Sequence, residues 1–125
     1  MATPISPLPQ PADAELFLGV PPDGVPRRLL GRVTWVWRDV RRVFDEGHLT
    51  FADGQSSVTW VAQAGAVRRH GRLFRPETWV VATGFEVGGP VYLTAVREAT
   101  QAEVADALET VHALRGDTRY EAGAA

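Results

Sequence analysis

Between Leu29 and Phe44 the apolar side chains fall at Leu29, Leu30, Val33, Val36, Trp37, Val40, Val43 and Phe44. Steps of three and four place them on one face of an α-helix. Pro26 suits a first helical turn and Gly47 the position just past a helix end. The spacing therefore predicts an amphipathic helix between Pro26 and Glu46. Two local features favour a strand instead. Val33-Thr34-Trp35-Val36-Trp37 is β-branched and aromatic, and Gly31 would cost about 1 kcal/mol inside a helix. On that alternative, a strand over 30–38 puts Val33, Trp35 and Trp37 on one face and leads to a six-stranded sheet or barrel with a single C-terminal helix.

After Gly47 the pattern shortens to extended runs separated by turn residues. His48–Ala52 and Ser57–Ala62 flank the hairpin signal Asp53-Gly54. Val67–Arg75 passes through Pro76 into Thr78–Val87, and Gly88-Gly89-Pro90 turns into Val91–Arg97. Five antiparallel strands in meander order are the simplest arrangement. Thr100-Gln101-Ala102-Glu103 is a capping box at the start of a second helix. Val104, Leu108 and Val111, supported by Ala105 and Leu114, form that helix's apolar stripe. Acids at Glu103, Asp106 and Glu109 and the late Arg115 suit its dipole, and Gly116 its end.

Seven of the nine prolines lie in the first 26 residues, where they deny the backbone donors and hold it extended. Residues 1–12 read as a disordered arm, 13–116 as one domain and 117–125 as a flexible tail. Ala14–Val20 reads as a short strand or turn that docks Leu16, Phe17 and Leu18. The expected fold class is α+β: an N-terminal amphipathic helix, about five antiparallel strands forming a meander sheet or small barrel, and a C-terminal helix.

Composition narrows the chemistry. The chain has no cysteine, and all thirteen of its lysine-plus-arginine residues are arginine. Disulfides, thiolate metal sites, lysine Schiff bases and the lysine-containing phosphate loop are thereby excluded. None of Ser6, Ser56 and Ser57 lies in a G-x-S-x-G elbow. Met1–Gln10 has neither a basic start nor an apolar run, and no stretch is long enough to span a bilayer, so a cytoplasmic protein without membrane contact is expected. Nothing calls for a cofactor.

The net charge of −2 conceals a separation. Residues 27–75 carry ten arginines against four acids, and residues 76–125 three arginines against eight acids. The absence of lysine also points to a coding bias toward arginine, which weakens any argument from arginine number alone. On the helix reading Trp35 lies off the apolar face with Arg28, Arg32, Asp39 and Arg42 on its side and Arg38 adjacent. That is a pattern for stacking a base while guanidinium groups hold phosphates. The competing reading packs Trp35 against the sheet or an oligomer partner. Arg68, Arg69 and Arg72 form a second cluster, with Arg68, His70 and Arg72 on one face if the segment is a strand. They suit either a phosphate track or a charged edge strand. His48, His70 and His112 have no metal-ligand spacing. His70 acting on a phosphodiester would need a second proton-transfer group that the sequence does not supply.

The sequence reads as a small cytoplasmic non-enzymatic binding protein, with DNA or RNA its most specific partner. The candidate site is Arg28, Arg32, Trp35, Arg38, Arg42, Arg68, Arg69 and Arg72. The alternative is a protein–protein module or homo-oligomer in which the basic and the acidic faces meet.

Overall fold

The computed structural model describes residues 14–17, 23–38 and 44–124, with side chains described as far as Leu114 except that of Arg38. The Pro-rich arm, Leu18, Val40, Arg42 and Val43 lie outside the described residues. The elements are β1 (Ala14–Glu15), β2 (Val25–Arg38), β3 (Phe44–Thr50), β4 (Ser57–Gln63), α1 (Ala66–Arg69), β5 (Trp79–Glu86), β6 (Val91–Glu98) and α2 (Gln101–Ala124).

The N-terminal amphipathic helix expected from the periodicity is absent; the segment is the 14-residue strand β2. The false helical period has two causes. Leu29, Gly31 and Val33 alternate into the core, but Gly31 contributes no side chain to the pattern. A bulge at Thr34 then shifts the register between Val33↔Leu49 and Trp35↔His48, so that Val36, not Trp35, packs next against the core. The inward apolar residues are therefore Leu29, Val33 and Val36, spaced by four and three as on a helix. Trp37, assigned to the buried face by the helix reading, points outward and is 44% exposed.

β2 serves two neighbours in turn. Its first part pairs with β5, from Val25↔Glu86 to Arg32↔Trp79, and its second with β3, from Arg32↔Thr50 to Arg38↔Asp45. β3 continues antiparallel to β4, and β5 to β6 through the turn at Gly88 and Gly89, whose φ values are positive. The order departs from the expected meander because β4 and β6 pair in parallel, Trp60↔Val91 and Val61↔Tyr92. That contact closes a five-stranded barrel, β2-β3-β4-β6-β5 and back to β2, with β1 added along β6. β1 brings Leu16 into the core, as expected for the Ala14–Val20 segment.

The expected strand over 67–75 is likewise replaced. Gly65, at φ 87°, turns the chain into the single turn of α1, and Asp45 holds the turn by accepting the Val67 N–H at 3.0 Å. Val67 and Phe74 bury themselves in one end of the barrel, Phe74 against the Trp60 ring at 5.0 Å. The interior, with Leu29, Val33, Leu49, Trp60, Ala62, Val80, Ala82, Val91, Leu93 and Val96, is continuous with this plug.

The capping box is formed as expected. The Glu103 carboxylate accepts the Thr100 N–H at 2.8 Å, and the Thr100 hydroxyl accepts the Glu103 N–H at 3.1 Å. Arg97 donates to both Glu103 oxygens at 2.8 and 2.7 Å, fastening α2 to β6. The helix passes Gly116, its expected end, and runs to Ala124. No helix among the described residues is long and apolar enough to cross a membrane.

Candidate nucleic-acid interface

The pleat decides which side chains of β2, β3 and β4 reach the outside. Asp45, Gly47 and Leu49 of β3 are buried, so Phe44, Glu46, His48 and Thr50 face outward. Gly47 is required for its space: a Cβ there would meet the Trp35 carbonyl oxygen and the Trp60 ring. On β2 the bulge turns Trp35 and Trp37 outward, each 44% exposed. Register then lays out two rows across the barrel surface. One is Trp35–His48–Thr59 and the other Trp37–Glu46–Val61–Tyr92.

The rows form an aromatic surface. The Trp35 and His48 rings lie 5.1 Å apart at 44°. At the other side, Phe44 and Tyr92 meet edge to face at 6.2 Å, and Phe17 lies 6.3 Å from Phe44 and 6.2 Å from Tyr92. Val61, between Glu46 and Tyr92 in register, is only 8% exposed although it faces outward. Thr34, beside Trp35, hydrogen-bonds Thr50 at 2.9 Å, and the Arg32–Glu77 ion pair bounds that side.

The arginines expected to join Trp35 divide into separate groups. Arg28 and Arg32 occupy the part of β2 that pairs with β5, where they lie against Glu103 (3.9 Å) and Glu77 respectively. They lie toward acids of the second half of the chain rather than gathered around Trp35. Arg38 ends β2 opposite Asp45, and Arg42 lies outside the described residues. Arg68 and Arg69 sit on α1 and Arg72 in the following turn, so Arg68, His70 and Arg72 share no strand face. These three arginines and Arg75 are exposed and pair with no acid among the described residues. The Asp45–Val67 hydrogen bond ties their segment to the Phe44 end of the aromatic surface.

Sequence reasoning missed Trp37, Phe44, Glu46, His48 and Tyr92 as members of one surface. The strand alternative contained part of the signal, since it placed Trp35 and Trp37 on one side of β2. The arrangement of Phe44, Glu46, His48 and Thr50 at every second position was also legible as a strand face.

The Glu103 carboxyl is held far below its usual range, from 4.5 to about 2, first by hydrogen bonding from Arg97 and then by the Thr100 N–H. It is thus an anchored structural charge. Among the described residues no three histidine, cysteine or acidic side chains converge to hold a metal ion. Compared with known protein families and with curated proteins, the chain matches none of them.

A groove of about 470 Å³ separates the first turns of α2 from the barrel. Trp79, Val104, Ala105 and Leu108 form its apolar wall, and Glu77 and Glu98 are on its rim. Trp60 lies fully inside the barrel. The aromatic surface is suited to stacking flat rings, and its exposed charged neighbours to holding phosphates; the groove is suited to an apolar segment.

Proposed function

We propose that this protein binds single-stranded nucleic acid across the outer face of β2 and β3, in the cytoplasm and without catalysing a reaction on it. The observation that carries the reading is the outward pair Trp35 and Trp37 on one strand, with the His48 ring tilted against Trp35 and Phe44 and Tyr92 on the same outer face. Large aromatics in a contiguous exposed group mark a binding surface more often than a solvated one. Each offers a π-face to a base unpaired from its complement, a stack worth about 1–3 kcal/mol. The exposed Arg68, Arg69, Arg72 and Arg75 supply phosphate contacts at the Phe44 end.

The strand order supports the reading as an analogy of fold. A closed five-stranded barrel in which the third and fifth strands pair in parallel has the connectivity of the oligonucleotide- and oligosaccharide-binding barrel. In that barrel ligands lie on the second and third strands and adjoining loops, here β3 and β4, so the face proposed shares β3 and the β2–β3 side with it and is shifted by one strand. Fold alone does not specify a ligand, so the side chains on that surface carry the argument.

The test is fluorescence anisotropy of labelled 12-nucleotide single strands and of the corresponding duplex across a salt series, with tryptophan emission recorded in parallel. Single strands are expected to bind more tightly than duplex and to quench emission. Affinity should fall with salt with a log–log slope of about −0.7 per phosphate neutralised. Trp35→Ala and Trp37→Ala should each weaken binding by about fivefold or more. Undetectable binding at low salt, or full affinity in both variants, overturns the proposal.

A second reading, a protein-binding or self-associating module, is favoured by Leu108 on α2, which is 44% exposed and lines the Trp79 groove. A solution mass above 13.6 kDa that falls on Leu108→Ser would support it.

A further inference from the structure

We propose that Glu46 makes the aromatic face selective for bases that present amino donors, guanine foremost, over thymine and uracil; the proposal rests on this face binding single strands. Glu46 stands in the middle of the surface. Across the strands its neighbours are Trp37 and Val61, and along β3 its same-face neighbours are Phe44 and His48. It is half-buried there.

Four acids near β2 and β3 have partners. Glu77 pairs with Arg32, Glu86 with Arg27 and Glu103 with Arg97, and Asp45 accepts the Val67 N–H. Glu46 pairs with no arginine among the described residues. Among the described residues nothing occupies its two oxygens, which can accept hydrogen bonds from a molecule lying on the aromatic rings.

Geometry favours a base as that molecule. Adjacent strands are separated by about 4.8 Å, so a base stacked on Trp37 reaches over β3, where Glu46 is the cross-strand partner. An ionised carboxylate only accepts hydrogen bonds. Guanine offers it N1–H and the N2 amino group side by side, one for each oxygen. Cytosine and adenine offer a single amino group on the same edge. Thymine and uracil present one N–H between two carbonyl oxygens, which repel a carboxylate. Direct contacts of this kind discriminate between bases, as does the acceptance of a cytosine amino hydrogen by an acidic side chain. The negative charge also opposes every phosphate, but that effect is the same for all sequences and creates no preference among them.

The experiment compares d(GT)6, dC12, dA12 and dT12 by anisotropy at pH 8 in lithium salt, which keeps guanine-containing strands from folding on themselves. The wild-type chain is expected to bind d(GT)6 about tenfold more tightly than dT12, with dC12 and dA12 between them. Glu46→Ala should bring all four within about twofold of one another while raising dT12 affinity by removing the repulsion. Glu46→Gln, whose amide both donates and accepts, should move the preference toward dA12. Equal wild-type affinities accompanied by tryptophan quenching overturn the assignment of Glu46 and leave the platform standing. A preference for d(GT)6 that survives in Glu46→Ala overturns it too. If no strand binds or quenches, the platform reading itself fails and this one with it.

Discussion

Replacing Glu103 by glutamine isolates the charge that fastens α2 to the barrel. The variant keeps the size of the side chain and an oxygen able to accept the Thr100 N–H. It loses the ionic part of two hydrogen bonds from Arg97 at 2.7 and 2.8 Å and a weaker attraction to Arg28 at 3.9 Å. The displacement of the Glu103 carboxyl from 4.5 to about 2 sets an upper bound. At about 1.4 kcal/mol for each tenfold change that bound is about 3 kcal/mol. The pair is partly open to solvent, with 17% of the Arg97 and 28% of the Glu103 side chain exposed. Screening and side-chain ordering therefore reduce the expected loss to about 1–2 kcal/mol. Because the folded-state value is depressed, the contribution is fully present above pH 4.5 and disappears as pH falls toward 2. Urea unfolding of both proteins between pH 2 and 8 should show the variant less stable by about 1–2 kcal/mol at pH 7 and the two curves converging below pH 3. Circular dichroism at 222 nm reports α2, and tryptophan emission reports the barrel. A helix signal that disappears before the barrel signal would show that the anchor holds the helix alone. A stability difference constant across the pH range would refute the ionic account.

Other substitutions probe the barrel and its exposed arginines. Gly47→Ala drives a methyl group into the Trp35 carbonyl and the Trp60 ring, so denaturation should show a loss of about 2 kcal/mol or more; an unchanged midpoint would contradict the packing. Asp45→Ala leaves the Val67 N–H without its acceptor and should cost about 1–3 kcal/mol, whereas Asp45→Asn, which retains an acceptor, should cost less. Equal losses in these two would dissociate the effect from the hydrogen bond. Arg68→Glu combined with Arg72→Glu should leave stability within about 0.5 kcal/mol, both sites being exposed. The same pair should lower the salt slope of single-strand binding by about 0.7 for each phosphate no longer neutralised. A slope that does not move would remove these arginines from the site.

The features legible in the chain alone are local ones. The capping box at Thr100 and Glu103 depends on residues three apart, and their reciprocal hydrogen bonds are present. The Gly88-Gly89 turn and the extended runs over β4, β5 and β6 are likewise written in neighbouring residues, as is the docking of Leu16. Folding settled the rest wherever a residue's meaning depended on a distant partner. Gly31 lies where β2 crosses Thr50, and the Thr34 bulge exists only against β3; together they turn a strand's alternation into a counterfeit helix. Val67 became the start of a turn because Asp45, 22 residues away, accepts its N–H. Arg28 and Arg32, candidate phosphate ligands in a linear reading, met acids supplied by α2 and the approach to β5. Trp37, Glu46 and Tyr92 entered one surface because barrel closure put β2, β3, β4 and β6 side by side. Periodicity records how a segment meets its surroundings but not which surroundings those are. Only the register of pairing and the closure of the barrel determine which side chains face one another, and hence where a ligand can lie.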